Sequence, residues 1–141
     1  MIRVSTKGRY ALRAMVDLAR HRDDGPVARQ DIAERQDVSA DYVAQLFRHL
    51  QDAGLVEGVK GPGGGYRLTR EPSEIRVRDV VEAVEGPVAL APCVEQHERS
   101  SCPHAERCTT RDLWKRLSRA MREWLDSYTL QDLSSEARGL G

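Results

Sequence analysis

Three cysteines, Cys93, Cys102 and Cys108, stand in one segment, separated by eight and then five residues. From residue 86 to about 108 the sequence shows neither helical nor strand periodicity, so its side chains are free to converge. Three thiolates suit an iron–sulfur cluster, in which His sometimes replaces Cys. A zinc site of three Cys and one His uses the same atoms. Zinc sites usually pair their ligands at CxxC spacing, and none occurs here, which favours the cluster. Free structural thiols are the third reading. His97 and His104 lie inside the segment as candidate fourth ligands, although a lone His in a polar loop is more often simply solvated. An odd cysteine count with no leader-like apolar core points to a reducing compartment, and away from a disulfide framework. The expected location is the cytoplasm.

A second group of residues has the chemistry to read nucleic acid. Ser39, Asp41, Tyr42, Gln45 and Arg48 occupy the first turns of a predicted helix. Gln pairs with adenine through N6 and N7, and Arg with guanine through O6 and N7. Downstream, Lys60 precedes Gly61, Pro62, Gly63, Gly64 and Gly65. Glycines bring a backbone close to phosphate with no Cβ in the way, and Lys60 supplies a cation there or in the minor groove. The bland alternatives are the solvated face of any helix and a merely flexible hairpin tip. No Lys-Ser or Lys-Thr follows the glycines, so this is not a nucleotide-binding P-loop. No nucleophile–base pairing and no carboxylate pair in a cleft-forming segment suggests an enzyme.

Elements must position these groups. A first helix is predicted over about 7–22, with Tyr10, Ala11, Ala14, Met15 and Leu18 inward. Asp23-Asp24-Gly25-Pro26 breaks it, and Ala28–Gln36 forms a short second helix with Ile32 and Ala33 inward. Asp37-Val38 makes the turn and Ser39 caps the third helix, whose buried stripe is Val43, Leu46, Phe47 and Leu50. Gly54 closes that helix in the left-handed region. Strands at Val56–Lys60 and Tyr66–Leu68 flank the glycine turn. Two helices joined by a tight turn are the helix-turn-helix pattern, with a plain helical bundle as the alternative, and the hairpin decides for a winged helix. A fourth helix spans Val77–Glu85 and ends at Gly86-Pro87. A long helix then runs from Thr109 to about Tyr128. Its stripe of Leu113, Trp114, Leu117, Met121, Trp124, Leu125 and Tyr128 is broad enough to want the same helix of a second subunit. The rival is intramolecular packing on the first helix. Thr129 and Asp132 can cap one last short turn.

The fold class is therefore mainly α with a small β-wing: a winged helix-turn-helix DNA-binding domain plus a long C-terminal dimerisation helix. The expected divisions are 1–86 for DNA binding, 87–108 for the cysteine segment and 109–141 for the dimerisation helix and tail. The 141 residues carry a formal net charge of +0 with only 5% aromatics. Residues 1–70 hold 12 Lys and Arg against 9 Asp and Glu, while residues 71–141 hold 10 against 13. A basic front half suits a protein that meets phosphate with one end. No apolar run reaches the ~18–20 residues that span a bilayer, so no membrane partner is expected.

STKGRYALRAMVDLA at Ser5–Ala19, YVAQL at Tyr42–Leu46, GLV at Gly54–Val56, KGPGGGYRL at Lys60–Leu68 and CTTRDLW at Cys108–Trp114 resemble the IscR-type winged-helix transcription regulators. That family also includes NsrR and CymR. The resemblance covers nearly the whole chain. It implies a homodimer on a partly palindromic duplex operator and, in IscR itself, a [2Fe–2S] cluster held by three Cys and one His. It would suit repression or activation of iron–sulfur assembly or related stress genes. This chain departs from the pattern in its ligands, its N terminus and its reading helix. Arg111 stands where IscR-like proteins place a His three residues after the last cysteine, so the fourth ligand falls first to His104 and second to His97. The first cysteine interval is longer than usual, and Lys7-Gly8-Arg9 lacks the acidic residue of NsrR-like members. Ala44 replaces a Glu of the reading helix, removing a carboxylate suited to cytosine. DSYTLQDL at Asp126–Leu133 is similar to CymR, which generally lacks the cysteines. A CymR-like regulator with structural zinc or no metal, signalled by a partner protein, is the alternative. A third possibility is an interaction module whose long helix recruits another protein.

Overall fold

The computed structural model describes residues 3–91, 94, 104 and 106–136. Ser5 starts the first helix, α1 (Thr6–His21), by accepting the Gly8 N–H on its hydroxyl at 3.2 Å. A short 3-10 turn over Arg22–Asp24 leads to α2 (Arg29–Gln36). Asp37 then takes φ 55, turning the chain sharply into α3 (Ala40–Asp52). Ser39 caps α3 as expected, accepting the Tyr42 N–H at 3.0 Å. The predicted stripe of Val43, Leu46, Phe47 and Leu50 is fully inside, and Gly54 closes the helix at φ 75.

At the turn end of the hairpin, the first strand is one residue shorter and the second one residue longer than the sequence pattern suggests. β1 (Val56–Val59) pairs antiparallel with β2 (Gly65–Leu68), Val56 opposite Leu68 and Val59 opposite Gly65. The Gly64 N–H bonds the Gly61 carbonyl at 3.0 Å, so Lys60 is left in the turn rather than the ladder. β2 continues into a third partner: Tyr66 and Val27 exchange two backbone hydrogen bonds of 2.8 Å. That bridge fixes the wing to the loop in front of α2, and the Tyr66 ring stacks on Phe47 at 4.3 Å between centroids.

α4 (Val77–Glu85) follows with Val77, Val80 and Val81 buried, as the spacing predicted. It packs on α1 and α3, so one core joins Met15, Leu18, Phe47, Leu50 and Val80. α5 (Arg111–Asp126) is shorter than the predicted 109–128, because the Thr129–Asp132 capping box begins a new helix. That helix, α6 (Leu130–Glu136), is more than a terminal turn. It packs on α1, with Leu130 fully buried and its N–H bonded to the Ile75 carbonyl at 2.9 Å. α5 itself lies against α4 and leaves Leu113, Leu117 and Trp124 at 55%, 42% and 65% exposure. Three large apolar side chains so open on one helix form a face that the described residues leave uncovered.

Candidate nucleic-acid interface

α3 presents Asp41, Gln45 and Arg48 to solvent along one exposed side. Ser39 and Tyr42 are differently placed. The Ser39 hydroxyl is engaged as the cap, and Tyr42 is half-buried with its ring edge-on to Tyr10 at 6.0 Å. The Arg13 guanidinium lies 4.8 Å from the Tyr10 ring centroid, a cation–π distance. Arg13 Nε also donates to Gln36 Oε1 at 3.0 Å.

Behind that contact lies a buried charge that the sequence pattern did not reveal. Asp17 of α1 is 4% exposed. It accepts two bonds from the Arg35 guanidinium, at 2.9 and 2.7 Å, and one from Gln36 Nε2 at 3.0 Å. The hydrogen bond to Asp17, working against desolvation, raises the Arg35 pKa further above its ordinary range. This fork locks α2 against α1 and so sets the platform from which α3 projects. Asp17 follows Ala14 at helical stripe spacing, and that intrusion of a charge into an apolar face was the available clue.

The wing stands beside α3. Gly61, Pro62 and Gly63 form its exposed tip, with Gly64 and Gly65 half-buried at its base. Between wing and helices lies an open cleft of about 490 Å³ bordered by Arg29, Gln51, Lys60 and the wing glycines. On the hairpin the Arg67 charge is met by Glu57. Arg29, Arg48 and Lys60 have no such acidic partner among the described residues. Arg29 and Gln51 were not singled out from the sequence, since nothing local says that the first residue of α2 and the end of α3 meet the wing.

Cys93, Cys102 and His97 lie outside the described residues. Cys108 is exposed just ahead of α5, its sulfur 3.1 Å from Thr110 Oγ1. The Thr110 hydroxyl, then the Thr110 backbone, pull the Cys108 thiol below its usual pKa. His104 is exposed, and its carbonyl accepts the Arg107 N–H at 3.0 Å. Arg111 opens α5, its N–H 3.4 Å from the Cys108 carbonyl. On the other side of the segment, the chain leaving α4 is tied down. Glu82 Oε2 accepts the Val88 N–H at 2.7 Å, Arg122 donates to the Val88 carbonyl at 2.9 Å, and Ser118 Oγ accepts the Leu90 N–H at 2.9 Å.

No described helix is long and apolar enough to cross a membrane. Residues 4–136 match the family described as Rrf2, iron-dependent transcriptional regulator. The HTH-type transcriptional regulator IscR of Aliivibrio salmonicida is 45% identical over 132 residues, 94% of this chain and 77% of the relative. The regulator of the same name from Photobacterium profundum is also 45% identical, over 94% and 75%. Among solved structures, CymR, the global cysteine regulator of B. subtilis, superposes with TM-score 0.78 at 38% identity, covering 98% of this chain and all of that one. T. potens IscR gives 0.77 at 39% identity, over 97% and 89%. These relatives are transcription regulators and not enzymes. The chain belongs to the Rrf2 family of winged-helix transcriptional regulators.

Proposed function

We propose that the protein is a cytoplasmic homodimeric regulator that reads a partly palindromic duplex with α3 and the wing, under the control of an iron–sulfur cluster at its cysteine segment. The observation that carries the DNA reading is local charge. The chain as a whole is neutral, yet Arg29, Arg48 and Lys60 along α2, α3 and the wing have no ion-pair partner among the described residues. A helix in the major groove and a wing in the adjacent minor groove straddle one strand of backbone. Arg29 and Lys60, on the rim of the cleft between them, meet that phosphate, while Gln45 and Arg48 face base edges. Asp41 orients near the start of α3, and the glycine tip gives the wing its close approach. The open face of Leu113, Leu117 and Trp124 supplies the dimer contact, and two-fold symmetry then sets half-sites about 34 Å apart.

The donor chemistry of the segment fits a cluster. Thiolate is the ligand form of Cys, and the Cys108 thiol is exposed and pulled toward it. Cys93, Cys102 and Cys108 would hold a [2Fe–2S] group, with His104 and then His97 as the fourth ligand. When bound, such a group supplies a redox-sensitive charge and a cross-link within the segment. A second reading is favoured by Arg111 at the position of the usual His and by the likeness to CymR: a regulator without the cluster, carrying zinc or no metal and signalled by a partner protein.

Lys60→Ala and Arg29→Ala are expected to weaken operator and unrelated DNA by similar factors. Each should also flatten the slope of log affinity against log salt by about 1. Gln45→Ala should instead lose about 1–3 kcal/mol of discrimination at a single base pair. Fluorescence anisotropy across a salt series and a set of point-substituted operators separates the two. Identical behaviour of the Gln45 and Lys60 variants would remove α3 from the major groove.

A further inference from the structure

The segment Val88–Leu90 is held by more side chains than a connecting loop needs. Glu82 of α4 accepts from Val88, Arg122 of α5 donates to the same residue, and Ser118 accepts from Leu90. Ser118 is the one buried residue of α5, at 0% exposure, on a helix where Trp114, Met121, Leu125, Arg122 and Asp126 are only half-buried. A hydroxyl so enclosed satisfies a backbone amide that would otherwise be costly to bury. Glu82 is itself anchored. Its Oε1 accepts from Arg78 Nε at 2.8 Å, and Arg78 Nη1 donates to Asp126 Oδ2 at 3.0 Å. Burial opposes the Arg78 charge, but the hydrogen bonds to Asp126 and Glu82 outweigh it, and its pKa is raised. A continuous chain therefore runs Asp126–Arg78–Glu82–Val88–Arg122, from α5 to α4, onto the strap and back to α5.

Leu90 lies three residues before Cys93, within about 11 Å of extended chain. Cys108 lies three residues before Arg111, where α5 begins, and Ser118 is about two turns further along that helix. Both sides of the cysteine segment are thus fastened to α5, one through Ser118 and one through its N-terminal turn. Any change that draws the two sides together loads the strap. α4 feels that load through Glu82, and α4 shares its buried Val80 with Phe47 and Leu50 of α3. A packed core passes such a displacement on because it has little free volume to absorb it.

We infer that Glu82, Ser118 and Arg122 are positioning residues that couple the cysteine segment to the DNA-reading helix. This rests on the cluster reading above. The test uses the full-length protein, prepared with iron and sulfide contents measured and again after chelation. Operator affinity is read for both forms at matched salt, together with amide hydrogen exchange at Val88, Leu90 and α3. Ser118→Ala should leave the stripped form within about twofold of wild type. It should shrink the affinity ratio between the two forms by roughly three- to tenfold, the worth of one hydrogen bond. Leu90 and α3 amides should exchange faster in that variant, and Ser118→Thr, which keeps the hydroxyl, should restore both readouts. Glu82→Gln should behave as Ser118→Ala does. If Ser118→Ala and Glu82→Gln both keep the wild-type ratio and α3 exchange while holding iron and sulfide, the coupling role is wrong and the sensing role stands. If wild type itself shows equal affinity in both forms, the sensing role fails instead. Faster exchange at α3 in the Ser118→Ala variant without iron then still supports the mechanical link, and unchanged exchange overturns it.

Discussion

Gly65→Ala should unseat the wing and remove most operator binding. Gly65 has φ 149, and a Cβ there would lie 2.1 Å from the Val27 carbonyl oxygen and 2.5 Å from its carbon. These are backbone atoms, held by the paired Val27–Tyr66 bonds, so no side-chain rotation relieves the clash. Either the bridge opens or β2 shifts, and both displace Lys60 and the glycine tip from their proposed place against the DNA. Strain plus overpacking costs about 2–4 kcal/mol. Gly63→Ala is the internal control. Gly63 also has positive φ, at 75, but an added Cβ meets nothing within 4 Å. Only the left-handed penalty of about 1 kcal/mol applies there. Denaturation midpoints with operator titrations should rank Gly65→Ala far below Gly63→Ala. Equal losses would mean that backbone conformation, and not the contact with Val27, sets the wing.

Arg35→Ala should be the most damaging surface-reaching substitution in the helix-turn-helix. It strands the Asp17 carboxylate, 2% exposed at its side chain, with the Gln36 amide and, at 3.6 Å, the His21 ring as its remaining neighbours. Removing one partner of a buried pair costs several kcal/mol. Arg35 is 35% exposed, so water can reach the site and the expected loss is about 2–4 kcal/mol. Replacing both partners, as Asp17→Leu with Arg35→Met, should cost markedly less than Arg35→Ala alone, since no orphan charge remains. Urea unfolding of the single and double variants checks this. A double variant as unstable as the sum of its singles would show that Asp17 and Arg35 act independently.

The parts legible in the sequence are those governed by local rules. Ser39 as a cap, Gly54 as a helix stop and the Val43–Leu50 stripe depend on neighbours within a few residues, and each is found where its spacing put it. The Val77–Glu85 helix agrees to the residue, because Gly86 ends it abruptly. What was hidden depends on partners far along the chain. The Asp17–Arg35 fork joins residues 18 apart, and the Leu90–Ser118 bond joins residues 28 apart. Arg29 shares the cleft with Lys60 only because Val27 and Tyr66 are bridged. The end of the chain depends on distant partners in the same way. Thr129 and Asp132 mark one capped short turn, and the longer helix follows from Leu130, which α1 and Ile75 enclose. At the proposed reading face, sequence chemistry points to the exposed Gln45, Arg48 and Lys60. It could not distinguish Ser39, whose hydroxyl is occupied by its cap, or Tyr42, which leans on Tyr10.

In the proposed function, the state of the cysteine segment is read out as DNA affinity. Its most direct measurement is operator affinity of protein purified without oxygen, with matched iron and sulfide, against the same protein after chelation, at one salt concentration. The two dissociation constants are expected to differ by about fivefold or more, the usual scale of coupling between two sites. Equal constants for the two forms would contradict it and leave a winged-helix regulator whose signal arrives by another route.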